Sequence, residues 1–214
     1  MKIAVIGTGN VGQALGGSFA RAGHDVTFAG RDAEKALAVA SGLGATASAT
    51  PGDAASDAEV IVLAVPYLAA EDVAGELGGQ TAGKVVVDAT NPLKADFSGL
   101  ATEGGPSGAE RIAGLLEGAH VVKAFNTVFA AVQADPGAYG ITLDALYATD
   151  DPEAAATVRD LARSIGLRPV NVGPLAAARE LEALAWLNIR LQMLSGGDWK
   201  TSPVLVGAPE RAAA

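Results

Sequence analysis

The 214-residue chain contains no cysteine. Disulfides, thiolate metal sites and cysteine nucleophiles are thereby excluded, and the composition suits a reducing cytoplasm, where the protein is expected to work. Two histidines leave little from which to build an imidazole metal site, and none is expected. Basic residues are outnumbered, 15 Lys plus Arg against 24 Asp plus Glu for a net charge of -9, which argues against nucleic acid or an anionic membrane as main partner. No run approaches the roughly 18 consecutive apolar residues of a membrane span. "KIAVIG" at the N-terminus has none of the features of a signal peptide. Aromatics make up only 5% of the chain, so abundant Ala and Gly must let helices approach a sheet closely.

What is present is alternation. Short Val- and Ile-rich runs, "KIAVI" (2–6), "DVTFA" (25–29), "VIVLAV" (60–65), "KVVVDA" (84–89) and "HVVKAF" (120–125), read as strands buried on both faces of a parallel sheet. "GATAS" and "GITLDALYAT" (140–149) are weaker strand candidates. Helical spacing of Val11, Ala14, Leu15, Ser18, Phe19 and Ala22 fills the first interval, 32–43 the second, and Pro152 to Ile165 forms a helix capped by Asp150 or Asp151. The expected fold class is α/β: a Rossmann-type, doubly wound, mainly parallel sheet in a single domain spanning 1–214. A long helix is expected within 173–197, with Leu181, Leu184, Leu187, Leu191 and Leu194 as one stripe and Trp186, Ile189 and Met193 widening it. A helix apolar on two sides is either sandwiched in the chain or shared with a second copy, and a homodimer contact is the favoured reading. Residues 94–110, rich in Gly, Ser and Pro, read as a long loop.

"GTGNVG" gives Gly7-x-Gly9-x-x-Gly12 between a strand and an amphipathic helix, the context in which this otherwise weak pattern signifies a dinucleotide cradle. Gly7 permits the tight turn, Gly9 lets a pyrophosphate approach the backbone, and Gly12 lets helix and strand pack closely. The amides near Asn10 and Val11 face the phosphates at the positive end of the helix. In "HDVTFAGRDAEK", where an acid would grip the adenosine ribose, the chain has Arg31. An arginine offers charge-assisted donors to a 2'-phosphate, and Lys35 adds a second charge, so NADP is the expected cofactor although Asp32 opposes them. "AVPYLA" and "DATNPL" end two strands; Ala64, Val65, Pro66 and Asn91 are expected to flank the nicotinamide ribose. His24 and His120 read as turn residues, and Lys123 as the partner of a carboxylate in the sheet.

At "VVKAFNT" (121–127) and "GLRPVNVGPLAAARELE" (166–182) the sequence resembles the coenzyme F420-dependent NADP reductases, and also the NADPH-binding domain of the six-transmembrane metalloreductases. The likeness runs from "KIAVIGTGNVG" through "AGR" to the C-terminal helix. It implies hydride transfer between NADP(H) and a flavin-like ring, F420 or else FMN or FAD, as a small-molecule redox partner. By the resemblance, Thr8, Gly30 and Arg31 surround the adenosine 2'-phosphate, and Ala124, Asn126, Thr127 and Val128 border the second ring. Gly30 stands where the deazaflavin enzymes have serine, and Asn126 replaces a histidine of the archaeal enzymes. Two other functions are weighed: reduction of a small imine or carbonyl, which needs a proton donor and a larger helical domain than about 40 residues after Pro174 can form, and NADP sensing without turnover.

Overall fold

The computed structural model describes residues 1–102 and 104–207. Glu103, inside the 94–110 segment, and residues 208–214, the end of the expected 1–214 unit, lie outside the described residues. Eight strands form one sheet: β1 (Lys2–Ile6), β2 (Asp25–Ala29), β3 (Thr46–Ala47), β4 (Val60–Leu63), β5 (Val85–Asp88), β6 (His120–Ala124), β7 (Asp144–Ala148) and β8 (Arg168–Asn171). Their order is β3-β2-β1-β4-β5-β6-β7-β8. The first six run parallel; β7 returns antiparallel to β6, and β8 is parallel to β7. The mainly parallel, doubly wound sheet is thus the observed fold, with the strand order reversing between β1 and β4.

Successive side chains on a strand face opposite sides. Ile3 and Val5 of β1 join one core with Phe28, Val62, Val87 and Val122, covered by α1 (Asn10–Arg21), α2 (Ala33–Leu43) and α7 (Pro152–Ser164). Ala4 and Ile6 join a second core with Ile61, Leu63 and Val86, covered by α3 (Pro51–Ser56), α4 (Ala70–Leu77) and α5 (Gly108–Leu115). The close approach that the small residues permit is visible at Gly16, where a Cβ would overlap the Phe28 ring. Helix starts follow local chemistry. Asp32 accepts from the Lys35 amide, Asp151 accepts from the Glu153 and Ala154 amides ahead of a helix beginning with Pro152, and Ser107 and Glu110 form a reciprocal capping box.

The structure departs from the sequence expectations at several element ends, β5 and β6 included, which are shorter than 84–89 and 120–125. The strand expected over 60–65 ends at Leu63, and the one expected over 140–149 spans Asp144–Ala148. Residues 108–110 of the expected loop are already helical. β8 was not anticipated; it is an edge strand, which tolerates Pro169 because no neighbour needs that missing N–H. The long helix, α8 (Ala178–Ser195), begins after a short 3-10 turn and ends at Gly196 in the left-handed conformation. Its Leu stripe divides: Leu181 packs into a third core with Leu146, Ala148 and Val170, whereas Leu187, Leu191 and Leu194 are exposed.

Candidate active site

The carboxyl ends of β1, β2 and β4 build the first half of the site. Gly7 has φ 125°, and a Cβ there would overlap the Ala64 carbonyl at the end of β4; one on Gly12 would overlap the Gly7 carbonyl. Only glycine fits either position. At Gly9, by contrast, nothing lies within 4 Å of where a Cβ would sit. Gly9 is the N-cap of α1 and its side of the turn carries no capping side chain, so the amides around Asn10 and Val11 face open space. Gln13 Nε2 donates to the Thr8 carbonyl at 2.9 Å, fixing the turn. A cradle closed beneath and open above, at a helix N-terminus, fits a pyrophosphate.

Gly30 lies beside Thr8, 3.4 Å separating the Thr8 methyl from a Cβ built on Gly30. Arg31 is exposed next to them and has no ion-pair partner among the described residues. Asp32 is spent on the helix: its carboxylate takes the Lys35 amide at 3.0 Å. The acid next to Arg31 thus has a structural reason, and Lys35 stands exposed on the first turn of α2. Thr8 and Gly30 are thus brought together, Arg31 follows Gly30 in the chain, and Lys35 is exposed one helical turn further on. Val65 and Pro66 follow Ala64 at the surface of the turn after β4.

The second half lies at the ends of β5 and β6. A cleft with an empty volume of about 520 Å³ is lined by Val11, Ala89, Asn91, Leu93, Phe97, Phe125, Asn126, Val128, Phe129, Ala130, Ile189 and Trp199. It reaches from the N-terminus of α1 to α8 and includes no titratable side chain. Asn91, Asn126 and Val128 were anticipated from sequence; Ala124 and Thr127 adjoin the cleft in the chain and are buried. Asn126 Nδ2 donates to Asn91 Oδ1 at 3.0 Å and to the Leu181 carbonyl at 3.2 Å, while Asn91 Nδ2 donates to the Asn126 carbonyl at 3.1 Å. The Leu181 carbonyl can only accept, which fixes the orientation of the Asn126 amide. Both its protons are thereby used, and Asn126 Oδ1 is a buried acceptor with no donor; Thr127 Oγ1 and Thr90 Oγ1 are likewise unpartnered. Buried polar atoms without partners mark places where a bound group completes the hydrogen bonding.

Three non-glycine residues among those described have left-handed backbone, Phe97 (φ 56°), Phe125 (φ 63°) and Trp199 (φ 59°), and all three line this cleft. Each such residue costs about 1–2 kcal/mol and persists only where its surroundings enforce it. At Phe125 the enforcing group is Gln133, fully buried, whose Nε2 donates to the Phe125 carbonyl at 2.9 Å and the Val128 carbonyl at 2.8 Å. Phe125 lies within the strand end anticipated for the second ring, whereas none of Phe97, Phe129, Ile189 or Trp199 was legible as a site residue, since they come together only in the fold.

Beneath the cleft, Lys123 is fully buried and pairs with Asp88 at 2.8 Å and with Glu182 at 3.5 Å, also donating to the Thr90 carbonyl at 2.6 Å. Glu182 in turn accepts from the amides of Gly108 and Ala109, at 3.0 and 3.1 Å, closing the N-terminus of α5 from α8. This network was missed apart from the expected carboxylate partner of Lys123. The histidines stand away from the cleft. His24 contacts Ser164 at 2.9 Å, and burial, then the N-terminal charge, lowers its pKa; His120 pairs with Asp151 at 2.6 Å. Among the described residues no cluster of three metal-ligating side chains occurs, and no helix is long and apolar enough to cross a membrane.

Residues 2–92 match the family model described as NADP oxidoreductase, coenzyme F420-dependent. The chain is 37% identical over 211 residues to the F420-dependent NADP reductase of Methanothermobacter thermautotrophicus, covering 90% of each. A 32% identity over 184 residues links it to metalloreductase STEAP3 of Rattus norvegicus, covering 86% of this chain and 36% of that one. Among solved structures, a putative F420-dependent NADP reductase from Arthrobacter superposes with a TM-score of 0.87 at 31% identity, covering 96% of this chain and 99% of the other. The glycine turn ahead of α1, the fold and a similarity spanning nine-tenths of two chains agree, and the chain belongs to the family of coenzyme F420-dependent NADP oxidoreductases.

Proposed function

We propose that the protein transfers hydride between NADPH and the deazaflavin ring of F420, as a single oxidoreductase domain acting as a homodimer in the cytoplasm. The observation that carries this reading is the cleft itself, which adjoins the dinucleotide cradle and is lined without a titratable side chain. Hydride transfer carries both electrons from nicotinamide C4 to the acceptor ring, and the one proton that completes the reduction comes from solvent after the transfer, when the ring meets water again. No protein acid is needed, whereas imine or carbonyl reduction would call for one. The work left to the protein is to hold two planar systems at contact distance and to exclude water.

Gly7, Gly9 and Gly12, with the amides at Asn10 and Val11, would hold the pyrophosphate. Thr8, Gly30, Arg31 and Lys35 would receive the 2'-phosphate, and Ala64, Val65, Pro66 and Asn91 would border the nicotinamide ribose. Ala124, Asn126, Thr127 and Val128 would border the acceptor. The free Asn126 Oδ1 calls for an N–H donor from a bound ring or carboxamide. For the second copy, the support is an apolar strip on α8: Leu187, Leu191, Met193 and Leu194 are all more than half exposed.

Steady-state oxidation of NADPH and NADH, with F420, FMN and FAD offered separately, tests the reading. NADPH oxidation with F420 alone is expected. In the same assay Arg31→Ser should raise KM for NADPH about 10- to 100-fold, the loss of one or two charge-assisted hydrogen bonds, while KM for NADH changes less than threefold. Absence of turnover with every acceptor would reject the hydride-transfer assignment, and an unchanged NADPH preference would reject the role of Arg31.

A further inference from the structure

Two aromatic side chains stand at the mouth of the cleft on segments that the chemistry of the cradle does not use. Phe97 comes from the loop after β5 and is 54% exposed; Trp199 comes from the chain following α8 and is 43% exposed. Both have left-handed backbone, a conformation an L-residue avoids unless it is held. Phe97 is held in a tight turn: its amide donates to the Lys94 carbonyl at 2.9 Å, the Lys94 amide to the Gly99 carbonyl at 2.9 Å, and the Ser98 amide to Asp96 at 3.0 Å.

Trp199 is held by two buried amides of α8. Gln192 Oε1 accepts the Trp199 amide at 3.0 Å, and Gln192 Nε2 donates to Thr201 Oγ1 at 3.0 Å. Thr201 Oγ1 in turn donates to Asn188 Oδ1 at 2.6 Å. Beyond it, the Leu205 amide donates to Asp144 at 2.7 Å and the Leu205 carbonyl accepts from Arg168 at 2.7 Å, anchoring the segment to the far edge of the sheet. The indole meets the Phe129 ring edge-on, centroids 5.3 Å apart at 75°. Buried polar side chains and a strained backbone thus hold a large ring partly in solvent. Packing on Phe129 covers part of the indole, and the 43% of Trp199 left in solvent is apolar surface that a bound ring can still bury. A flat fused ring entering the cleft would stack on it; a small imine or hydroxy acid would not.

We propose that Phe97 and Trp199 are specificity-determining residues that clasp the planar fused ring of the hydride acceptor, with Gln192 and Asn188 as positioning residues for Trp199. The inference rests on the hydride-transfer reading and adds the residues that select the acceptor.

The test uses the full chain. Kd of oxidised F420 is measured through its own fluorescence on NADP-saturated protein, alongside KM for F420 and for NADPH in turnover. Trp199→Ala is expected to weaken F420 about tenfold or more in both Kd and KM, the size of one lost aromatic stack, with KM for NADPH within twofold. Trp199→Phe should recover most of the loss, and Phe97→Ala should act in the same direction. Gln192→Ala should weaken F420 binding with kcat nearly unchanged. If the wild-type protein reduces F420 while both alanine variants keep Kd and KM within twofold, the clasp is wrong and the hydride-transfer reading stands. If the wild-type protein neither binds nor reduces F420, FMN or FAD, both fall.

Discussion

Replacing Lys123 by Met keeps the volume of the side chain and removes its charge, which isolates the electrostatics of the buried network. In the native protein Asp88 Oδ2 receives the ammonium at 2.8 Å and Asp88 Oδ1 receives the Thr90 amide at 2.9 Å. Glu182 keeps two backbone donors whether or not the lysine is present. The charge left unanswered by Lys123→Met therefore falls mainly on Asp88, which has no exposure to water. Removing one member of a buried pair costs about 3–5 kcal/mol. At about 2–4 °C per kcal/mol for a chain of this length, the melting temperature should fall by about 6–20 °C. Thermal unfolding followed by near-UV circular dichroism measures this directly. Adding Asp88→Asn to the same chain should recover part of the loss, since the stranded carboxylate is then neutral; the double-mutant cycle gives the coupling. A Lys123→Met protein that melts within about 2 °C of the native one, or a double variant less stable than the single, would refute the argument.

Two other perturbations follow from the description of the helices. Leu187→Asp with Leu191→Asp places two charges on the exposed strip of α8 and should convert the proposed homodimer to a monomer by light scattering, with secondary structure retained because neither side chain enters the core; a dimer that survives would exclude this face. Asp151→Ala removes the cap of α7 and should cost about 1 kcal/mol near neutral pH. The Asp151 carboxyl is held below its ordinary value of 3.8, first by the Ala154 amide and then by the charge of His120. Its contribution is present above that value and lost as pH falls through the lower folded-state pKa, so the stability difference between native and variant proteins, followed by urea unfolding, should narrow in acid.

Much of the scaffold was readable in the chain because parallel strands covered on both faces leave unbroken Val and Ile runs, as at 60–63 and 85–88. The cradle was readable because each glycine in "GTGNVG" answers a different local requirement. α3 escaped because its six residues open with Pro51 and Gly52 and are too short to show periodic contrast, and β8 because four residues containing Pro169 contradict strand propensity. The cleft escaped for another reason. Phe97, Phe125 and Trp199 take their backbone conformation from a tight turn and from the side chains of Gln133 and Gln192, and Lys123 meets Glu182 across 59 positions; apolar spacing carries no trace of such meetings. Glu182 did not stand out either, because α8 also carries Arg179, Glu180 and Arg190.

That carboxylate has a consequence for the order in which the molecule can be completed. α5 leaves the ribosome early, yet the acceptor for its Gly108 and Ala109 amides lies 74 and 73 residues further on. Until Glu182 arrives, those two amides lack their native acceptor and Lys123 faces Asp88 alone. The last helix is therefore a keystone: a nascent chain that stops short of it carries all eight strands of the sheet, yet its charged interior is not yet closed.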